Sequence, residues 1–107
     1  MAEKKKEVAY RKHALIALYE VYDYIANDSK ANAAKFVSEV KLFIRSLADF
    51  PEKYPQCPEI PTKNKIYRSA VFRNYRIIYK IADRIEILDI FHAKRNPIHL
   101  KALRRVK

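Results

Sequence analysis

The stretch IYRSAVFRNYRIIYKIADRIEILDIFH, residues 66–92, decides the fold. Its apolar residues are mostly β-branched or aromatic and recur with a period of two, which is the pattern of β-strands. Arg73 and Asn74 interrupt the pattern once and Asp83 interrupts it again, and Asn74 and Asp83 are expected to take the turn positions that glycine usually occupies. The segment therefore predicts an antiparallel meander of three strands, over Ile66–Phe72, Tyr75–Ala82 and Arg84–His92.

Two segments upstream of the meander have a helical period. Apolar residues three and four apart over residues 11–26 predict a helix with one buried stripe, formed by Leu15, Leu18, Tyr19, Tyr22, Ile25 and Ala26. The same spacing predicts a second helix that runs as far as Phe50, after a break and a cap at Asn27, Asp28 and Ser29. We expect the resulting antiparallel hairpin to pack on the face of the middle strand that carries Tyr75, Ile77, Tyr79 and Ile81.

The remaining segments complete a single α+β domain over residues 1–107. Glu7–Tyr10 predicts a short edge strand, and the basic start, residues 1–7, is expected to be disordered. Four prolines predict a long exposed loop over residues 51–64. Asn96 and Pro97 predict the cap and first turn of a C-terminal helix that ends near Val106, within an extension over residues 97–107.

Composition excludes several classes of function. The 107 residues include no glycine, which removes the loops whose bare backbone binds phosphates, such as Walker and dinucleotide motifs. A net charge of +11 favours an anionic partner, whether nucleic acid, a ribosome or an acidic protein. The single cysteine, Cys57, is interpreted as an idle loop thiol of a cytoplasmic protein, and neither a membrane segment, a metal site nor a cofactor is expected.

The candidate functional residues are cations on the meander and just after it. Arg68, Arg73, Arg76 and Lys80 alternate with apolar residues, as on any solvated sheet face. Two features favour an anion-binding face instead: acidic residues are absent from the two strands taken as central, and Lys94, Arg95, Arg104 and Arg105 extend the same sign. The tyrosines at core spacings, Tyr19, Tyr22, Tyr75 and Tyr79, are interpreted as packing residues. His13 and His99 show no partner pattern.

Four short motifs, in order, resemble the RelE/ParE superfamily of bacterial toxins. YDYIA at 22–26 resembles the end of the first helix of that family, and LADFP at 47–51 resembles the exit of its second helix. YRIIY at 75–79 is similar to the family's YRIxY strand, and residues 87–97 are similar to its last strand, with the ending H-x-(K/R)-R-x-P. The resemblance covers residues 8–97 and implies the α+β fold of strand, helical hairpin and meander deduced above.

The resemblance implies the toxin of a type II toxin-antitoxin system, bound by a cognate acidic antitoxin in a hetero-oligomer. RelE-like members cut messenger RNA on the ribosome; in this chain Arg76 and Arg95 match their phosphate-binding arginines and His92 is the candidate for proton transfer. The tyrosine that these nucleases place beyond the last arginine is missing, because residues 97–101 read PIHLK. Lys63 and Lys65 lie farther upstream than the nuclease lysines.

Three functions follow as hypotheses. A ParE-like poison of DNA gyrase, which needs no catalytic set, is favoured. In that reading Arg68, Arg73, Lys80 and Lys94 are expected to contact the target or nucleic acid. A ribosome-dependent endoribonuclease that uses Arg76, His92 and Arg95 is the alternative, and a non-toxic binding module on the same fold is the third.

Overall fold

In the computed structural model of the chain, residues 6–105 are described, with side chains up to residue 101. A short strand, β1, precedes two helices, α1 and α2, which are followed by strands β2, β3 and β4 and a 3₁₀ segment. Their bounds are Val8–Tyr10, Lys12–Ala26, Lys30–Ser46, Tyr67–Phe72, Tyr75–Ile81, Ile85–His92 and Pro97–Arg105. The predicted α+β order is confirmed, and every predicted strand boundary lies within one residue of the observed one.

The four strands form one mixed sheet in the order β1-β4-β3-β2. The last three are an antiparallel meander, as predicted, while β1 runs parallel to β4, with Val8 opposite Ile85 and Tyr10 opposite Ile87. Because β1 adds to the edge beside β4, the central strands are β4 and β3. The expectation that the central strands lack acidic residues is therefore wrong, since β4 carries Glu86 and Asp89.

The turn between β2 and β3 differs from the prediction in its backbone. Arg73, rather than Asn74, has the positive φ, at 56°, and Lys65 has a second one at 54° before β2. A residue with a Cβ atom in this region costs about 1–2 kcal/mol. Asp83 has no positive φ either. Neither Asn74 nor Asp83, the two residues expected at glycine-like turn positions, therefore adopts the left-handed conformation.

Helix α2 begins as predicted, whereas α1 buries a face that shares only part of the predicted stripe, chiefly Leu18 and Ile25. The hydroxyl of Ser29 accepts a hydrogen bond from the Asn32 amide at 3.1 Å, which caps α2. The buried residues of α1 are Ala14, Ala17, Leu18 and Val21. Leu15 and Tyr19, expected in the core, are 38% and 68% exposed. The alanines favour this face because small side chains let the helix approach the sheet closely.

The inner face of the sheet and the helical hairpin enclose the main core. Ile77 and Tyr79 of β3 are fully buried in it and Tyr75 and Ile81 are partly buried, which confirms the predicted facing of this strand. The Tyr79 hydroxyl donates a hydrogen bond to the Pro51 carbonyl at 2.6 Å, and burial raises the pKa of this phenol to about 12. Tyr79 therefore ties the start of the proline-rich loop to the centre of the sheet.

A second apolar cluster covers the outer face of the sheet, which was expected to be a solvated cationic surface. Its buried members come from the proline-rich loop, the three meander strands and the 3₁₀ segment: Cys57, Ile60, Tyr67, Ile78, Leu88, Phe91 and Leu100. The loop lies along β2, where the Cys57 amide donates to the Tyr67 carbonyl at 2.8 Å and the Ser69 amide donates to the Pro55 carbonyl at 3.0 Å. The predicted loop is therefore exposed only in part, because Cys57 and Ile60 are fully buried against the sheet.

The C-terminal segment begins where the sequence predicts, with the Ile98 amide donating to the Asn96 side-chain oxygen at 3.1 Å. It is a 3₁₀ helix over Pro97–Arg105 rather than an α-helix, and Leu100 packs it against the outer face. The predicted end at Val106 and the basic residues 1–5 lie outside the described residues. Within the described range, no helix is both long enough and apolar enough to cross a bilayer.

Candidate functional site

Arg76, the candidate phosphate ligand on β3, is bound by a carboxylate of the protein itself. Its guanidinium nitrogens donate to the two Glu59 oxygens at 2.7 and 3.2 Å, and its Nε donates to the Ser69 hydroxyl at 3.1 Å. The guanidinium also lies 5.4 Å from the centre of the Phe91 ring. The two charged side chains are mostly buried, at 14% and 21% exposed. This fork-to-fork geometry is the strongest form of ion pair.

The pair also fixes the chemistry of its neighbour Cys57. The hydrogen bonds from Arg76 hold the pKa of Glu59 below its ordinary value, and Glu59 in turn raises the pKa of Arg76. Burial raises the pKa of the Cys57 thiol to about 11, and its sulfur lies 3.3 Å from the nearer Glu59 oxygen. The thiol is therefore protonated at neutral pH and is not a nucleophile.

Arg68, a candidate target-binding residue on β2, holds the proline-rich loop in place. Its Nε donates to the Lys65 carbonyl at 2.9 Å, and one terminal nitrogen donates to the carbonyls of Tyr54 and Glu52 at 2.9 and 3.3 Å. Only 13% of the side chain is exposed. These backbone contacts leave little of this guanidinium for an external anion.

The other two candidates on the meander are more exposed. Arg73 pairs with Glu39 of α2 and lies 5.2 Å over the Phe72 ring, with half of its side chain in solvent. The Lys80 ammonium lies 5.8 Å from the centre of the Tyr67 ring at the outer face. Both cations remain partly available to a partner.

His92 and Arg95 line one cavity at the end of β4. The Arg95 amide donates to the His92 carbonyl at 2.9 Å, which folds this turn back on itself, and the His92 ring meets the Tyr75 ring edge-on at 5.4 Å. The cavity has a volume of about 420 Å³, a floor from α1 and β4, and polar lining from Glu20, Tyr24, Tyr75, His92 and Arg95. Lys94 is exposed beside it, and its amide donates to His92 Nδ1 at 3.1 Å.

The three candidate nuclease residues are not gathered on one face. Arg76 lies over Phe91 in the outer cluster, whereas His92 packs on Tyr75, which contacts the inner core. Neighbouring residues of a strand point to opposite faces, so Arg76 and His92 project from opposite sides of the sheet. Arg95 shares the cavity with His92 and not with Arg76.

The sequence pattern did not predict a buried carboxylate that lies beside two imidazoles. Asp89 is 1% exposed; one oxygen lies 2.7 Å from Nε2 of His99, and the other accepts the Ile90 amide at 2.8 Å and lies 3.3 Å from Nε2 of His13. His13 and His99, predicted to lack partners, thus connect α1 and the 3₁₀ segment to β4. A lone Asp in the apolar run Ile87–Phe91 is the signal, since a buried carboxylate needs partners.

Metal binding has no support among these groups. Within residues 6–101, no set of three or more His, Cys, Asp or Glu side chains is placed to hold a metal ion. The arrangement therefore offers cations for binding, paired carboxylates for holding the loop and the C-terminal segment, and one histidine beside an open cavity.

The fold defines a small basic α+β protein in which a helical hairpin packs on a four-stranded mixed sheet. The chain resembles a solved structure described as a chromosomal ParDE TA system from P. aeruginosa, with a TM-score of 0.67 and 16% identity, over 84% of this chain and 98% of that one. The family described as the ParE toxin of the type II toxin-antitoxin system, parDE, matches residues 8–97, and the chain belongs to this family. No curated protein sequence matches the chain significantly.

Proposed function

We propose that this type II toxin is a cytoplasmic inhibitor of DNA gyrase that acts by binding, and that a cognate acidic antitoxin neutralises it. Family membership supports the toxin class. The observation that carries the non-catalytic mechanism is the Arg76–Glu59 pair, with hydrogen bonds of 2.7 and 3.2 Å, because it occupies the guanidinium that a nuclease would need for phosphate. Binding to a target requires no such free group.

The cations left for the target lie at the rim of the sheet. Arg68 and Arg76 are committed to the loop and to Glu59, whereas Lys94 and Arg95 are exposed after β4. We propose that Lys94 and Arg95, with Arg73 and Lys80, contact the anionic surface of the target or of nucleic acid bound to it. Electrostatic contacts of this kind set the association rate and respond to salt.

The test uses purified protein, gyrase and relaxed plasmid. We expect supercoiling to stop as the ratio of toxin to gyrase approaches one, and we expect Lys94→Glu with Arg95→Glu to weaken inhibition about tenfold or more. Lys63→Glu with Arg84→Glu, at exposed positions elsewhere, makes the same charge change and is the matched control. Undiminished supercoiling at excess toxin would exclude gyrase as the target.

A ribosome-dependent endoribonuclease is the second candidate, because His92 and Arg95 line the same cavity. In that mechanism His92→Gln would lower cleavage about a hundredfold or more, since general acid-base catalysis contributes this much. For the binding mechanism, the same variant keeps its inhibition of growth and leaves transcripts intact. Sequencing of transcript ends after induction of the wild type and of His92→Gln distinguishes the nuclease mechanism from the binding mechanism. Harmless expression without any antitoxin would instead indicate a non-toxic binding module.

A further inference from the structure

The cavity at the end of β4 has an apolar floor and two polar walls. Its volume of about 420 Å³ lies within the range of about 300–1,000 Å³ that is usual for small-molecule sites. Ala17 and Val21 of α1 and Ile90 and Phe91 of β4 form the floor, and all four are buried. Such a floor can hold a planar ring, while the polar walls fix the orientation of that ring.

Helix α1 contributes one wall, in which a carboxylate and an aromatic ring lie side by side. Glu20 and Tyr24 line the cavity and are four residues apart, so they share one face of the helix. Tyr24 is 74% exposed. Burial, followed by the nearby Tyr24 phenol, raises the pKa of Tyr75, which lines the cavity as well. Within residues 6–101, Glu20 forms no ion pair, so its carboxylate can accept hydrogen bonds from a ligand.

The turn after β4 contributes the other wall, which is rich in donors. Nδ1 of His92 accepts a hydrogen bond from the Lys94 amide at 3.1 Å. The proton of the neutral His92 ring is therefore on Nε2, and this nitrogen is a donor. Arg95 lines the cavity as well and forms no ion pair in the part of the chain that the structure describes. This wall therefore suits a phosphate group.

We propose that this cavity binds a guanine nucleotide, either free or as one unit of a single strand. The base stacks on Tyr24, and the Glu20 carboxylate accepts hydrogen bonds from the N1–H and amino groups of the base. The phosphate lies against Arg95 and Nε2 of His92. Because Glu20 and Tyr24 are one helical turn apart, about 6 Å, a ring stacked on the tyrosine has its edge within reach of the carboxylate.

The Glu20 carboxylate favours guanine over the other bases. An ionised carboxylate only accepts hydrogen bonds, and guanine is the common base whose Watson–Crick edge places two donors next to each other. Adenine and cytosine place an acceptor beside their amino group, and uracil and thymine place an acceptor on each side of the ring N–H. An acceptor that faces Glu20 would be repelled and left without a partner.

The contacts require an unpaired base. In a duplex the edge that Glu20 would contact is already paired, so a double strand supplies this ligand only if the base is flipped out. The proposal does not rest on gyrase as the target. Failure of the supercoiling test would leave the nucleotide site standing, and failure of nucleotide binding would leave Lys94 and Arg95 as surface contacts of the target.

Isothermal titration calorimetry of the purified chain with GMP, AMP and inorganic phosphate tests the site. We expect GMP to bind about tenfold or more tightly than AMP, and phosphate more weakly than either nucleotide. Glu20→Gln should weaken GMP binding about tenfold without weakening AMP binding, whereas Tyr24→Ala should weaken the binding of both about tenfold. Arg95→Gln should weaken GMP binding about tenfold and leave that of guanosine, which lacks the phosphate, within about twofold.

Two exposed positions outside the cavity provide matched controls. Asp23→Asn makes the same carboxylate-to-amide change on α1, and Arg84→Gln removes an arginine in the turn before β4. Each should change the affinity for GMP by less than about twofold, and circular dichroism confirms the folding of every variant. A hexamer of thymidines with one central deoxyguanosine, compared with the all-thymidine hexamer, identifies the source of the ligand. Guanine-dependent binding at least as tight as that of GMP indicates a single strand, and weaker guanine-dependent binding indicates a free nucleotide.

Three results would overturn the proposal. The first is absence of GMP binding by the folded wild-type protein. The second is equal affinity for GMP and AMP, or an equal loss in Glu20→Gln and Asp23→Asn, because either would show that Glu20 does not contact the base. The third is phosphate binding as tight as that of GMP, because the cavity would then be an anion site without a place for the base.

Discussion

The Arg76 guanidinium and the Glu59 carboxylate meet in two hydrogen bonds, of 2.7 and 3.2 Å, that join strand β3 to the proline-rich loop. The residues are 17 positions apart, and the contact depends on the loop lying across the outer face of the sheet. An arginine that the sequence presents as a free cation is in this way part of the packing.

Removal of one member of this pair should destabilise the protein. Arg76→Met leaves the Glu59 carboxylate without its partner in a mostly buried site, and we expect a loss of about 1–3 kcal/mol in the free energy of unfolding. Arg73→Met, at a half-exposed pair, is the control, with an expected loss of about 0–1 kcal/mol. Urea unfolding measures both. Equal losses of unfolding free energy in the two variants would mean that burial does not increase the contribution of the Arg76–Glu59 pair to stability.

The same pair should make stability depend on pH on the acid side. The hydrogen bonds from Arg76 hold the pKa of Glu59 below its ordinary value. A carboxyl whose pKa is depressed in the folded state contributes stability that is complete above its unfolded pKa, about 4.3, and is lost as the pH falls through its folded pKa. We expect the unfolding free energy of Glu59→Gln to fall less steeply than that of the wild type below about pH 4.5. Equal slopes of unfolding free energy against pH for the wild type and Glu59→Gln would contradict this expectation.

Cys57 should react slowly with alkylating reagents. Burial raises the pKa of its thiol to about 11, and the residue is fully buried. At pH 8 the thiolate fraction is about a thousandth, so we expect iodoacetamide to modify the native protein at least about a hundredfold more slowly than the urea-unfolded chain. Mass spectrometry follows the reaction. Comparable rates in the two states would show that the loop does not cover Cys57 in solution.

The Asp89 carboxylate should anchor the C-terminal segment. Asp89→Ala removes the acceptor 2.7 Å from His99 and also the acceptor of the Ile90 amide, so we expect a loss of about 2–3 kcal/mol in unfolding free energy. We also expect faster hydrogen exchange over residues 97–101. Asp28→Ala, at an exposed position, is the control, with an expected change within about 0.5 kcal/mol. Unchanged hydrogen exchange over residues 97–101 in Asp89→Ala would show that Asp89 does not anchor the C-terminal segment.

The sequence predicted the elements well because they depend on local patterns. The alternation of apolar and polar residues predicted the three meander strands, and the Ser29 cap predicted the start of α2. The buried face of α1 was wrong because this helix carries two apolar stripes. The stripe with the larger residues, Leu15 and Tyr19, was preferred, whereas close packing on the sheet selected the stripe with Ala14 and Ala17. Residue size along one helix does not reveal the shape of the surface it meets.

The candidate site could be predicted only in part, because its charges are neutralised by tertiary contacts. The sequence predicted Arg76 as a phosphate ligand, but the structure pairs it with Glu59, which lies in a loop without periodicity. The burial of the outer face under Ile60 and Leu100 could not be predicted either. A proline-rich loop and a short 3₁₀ segment have no sequence period that indicates which residues are buried. Pairing between distant positions is decided by the fold and not by spacing.

The parallel pairing of β1 with β4 joins strand residues that are 77 positions apart in the sequence, with Val8 opposite Ile85 (85 − 8 = 77). During synthesis, β1 has no strand to pair with until β4 has left the ribosome. Long-range contacts of this kind slow folding, because a large loop must close before they form. The sheet is therefore complete only after both helices and the whole meander have been synthesised, whereas the antiparallel pairs of the meander need no residue of β1.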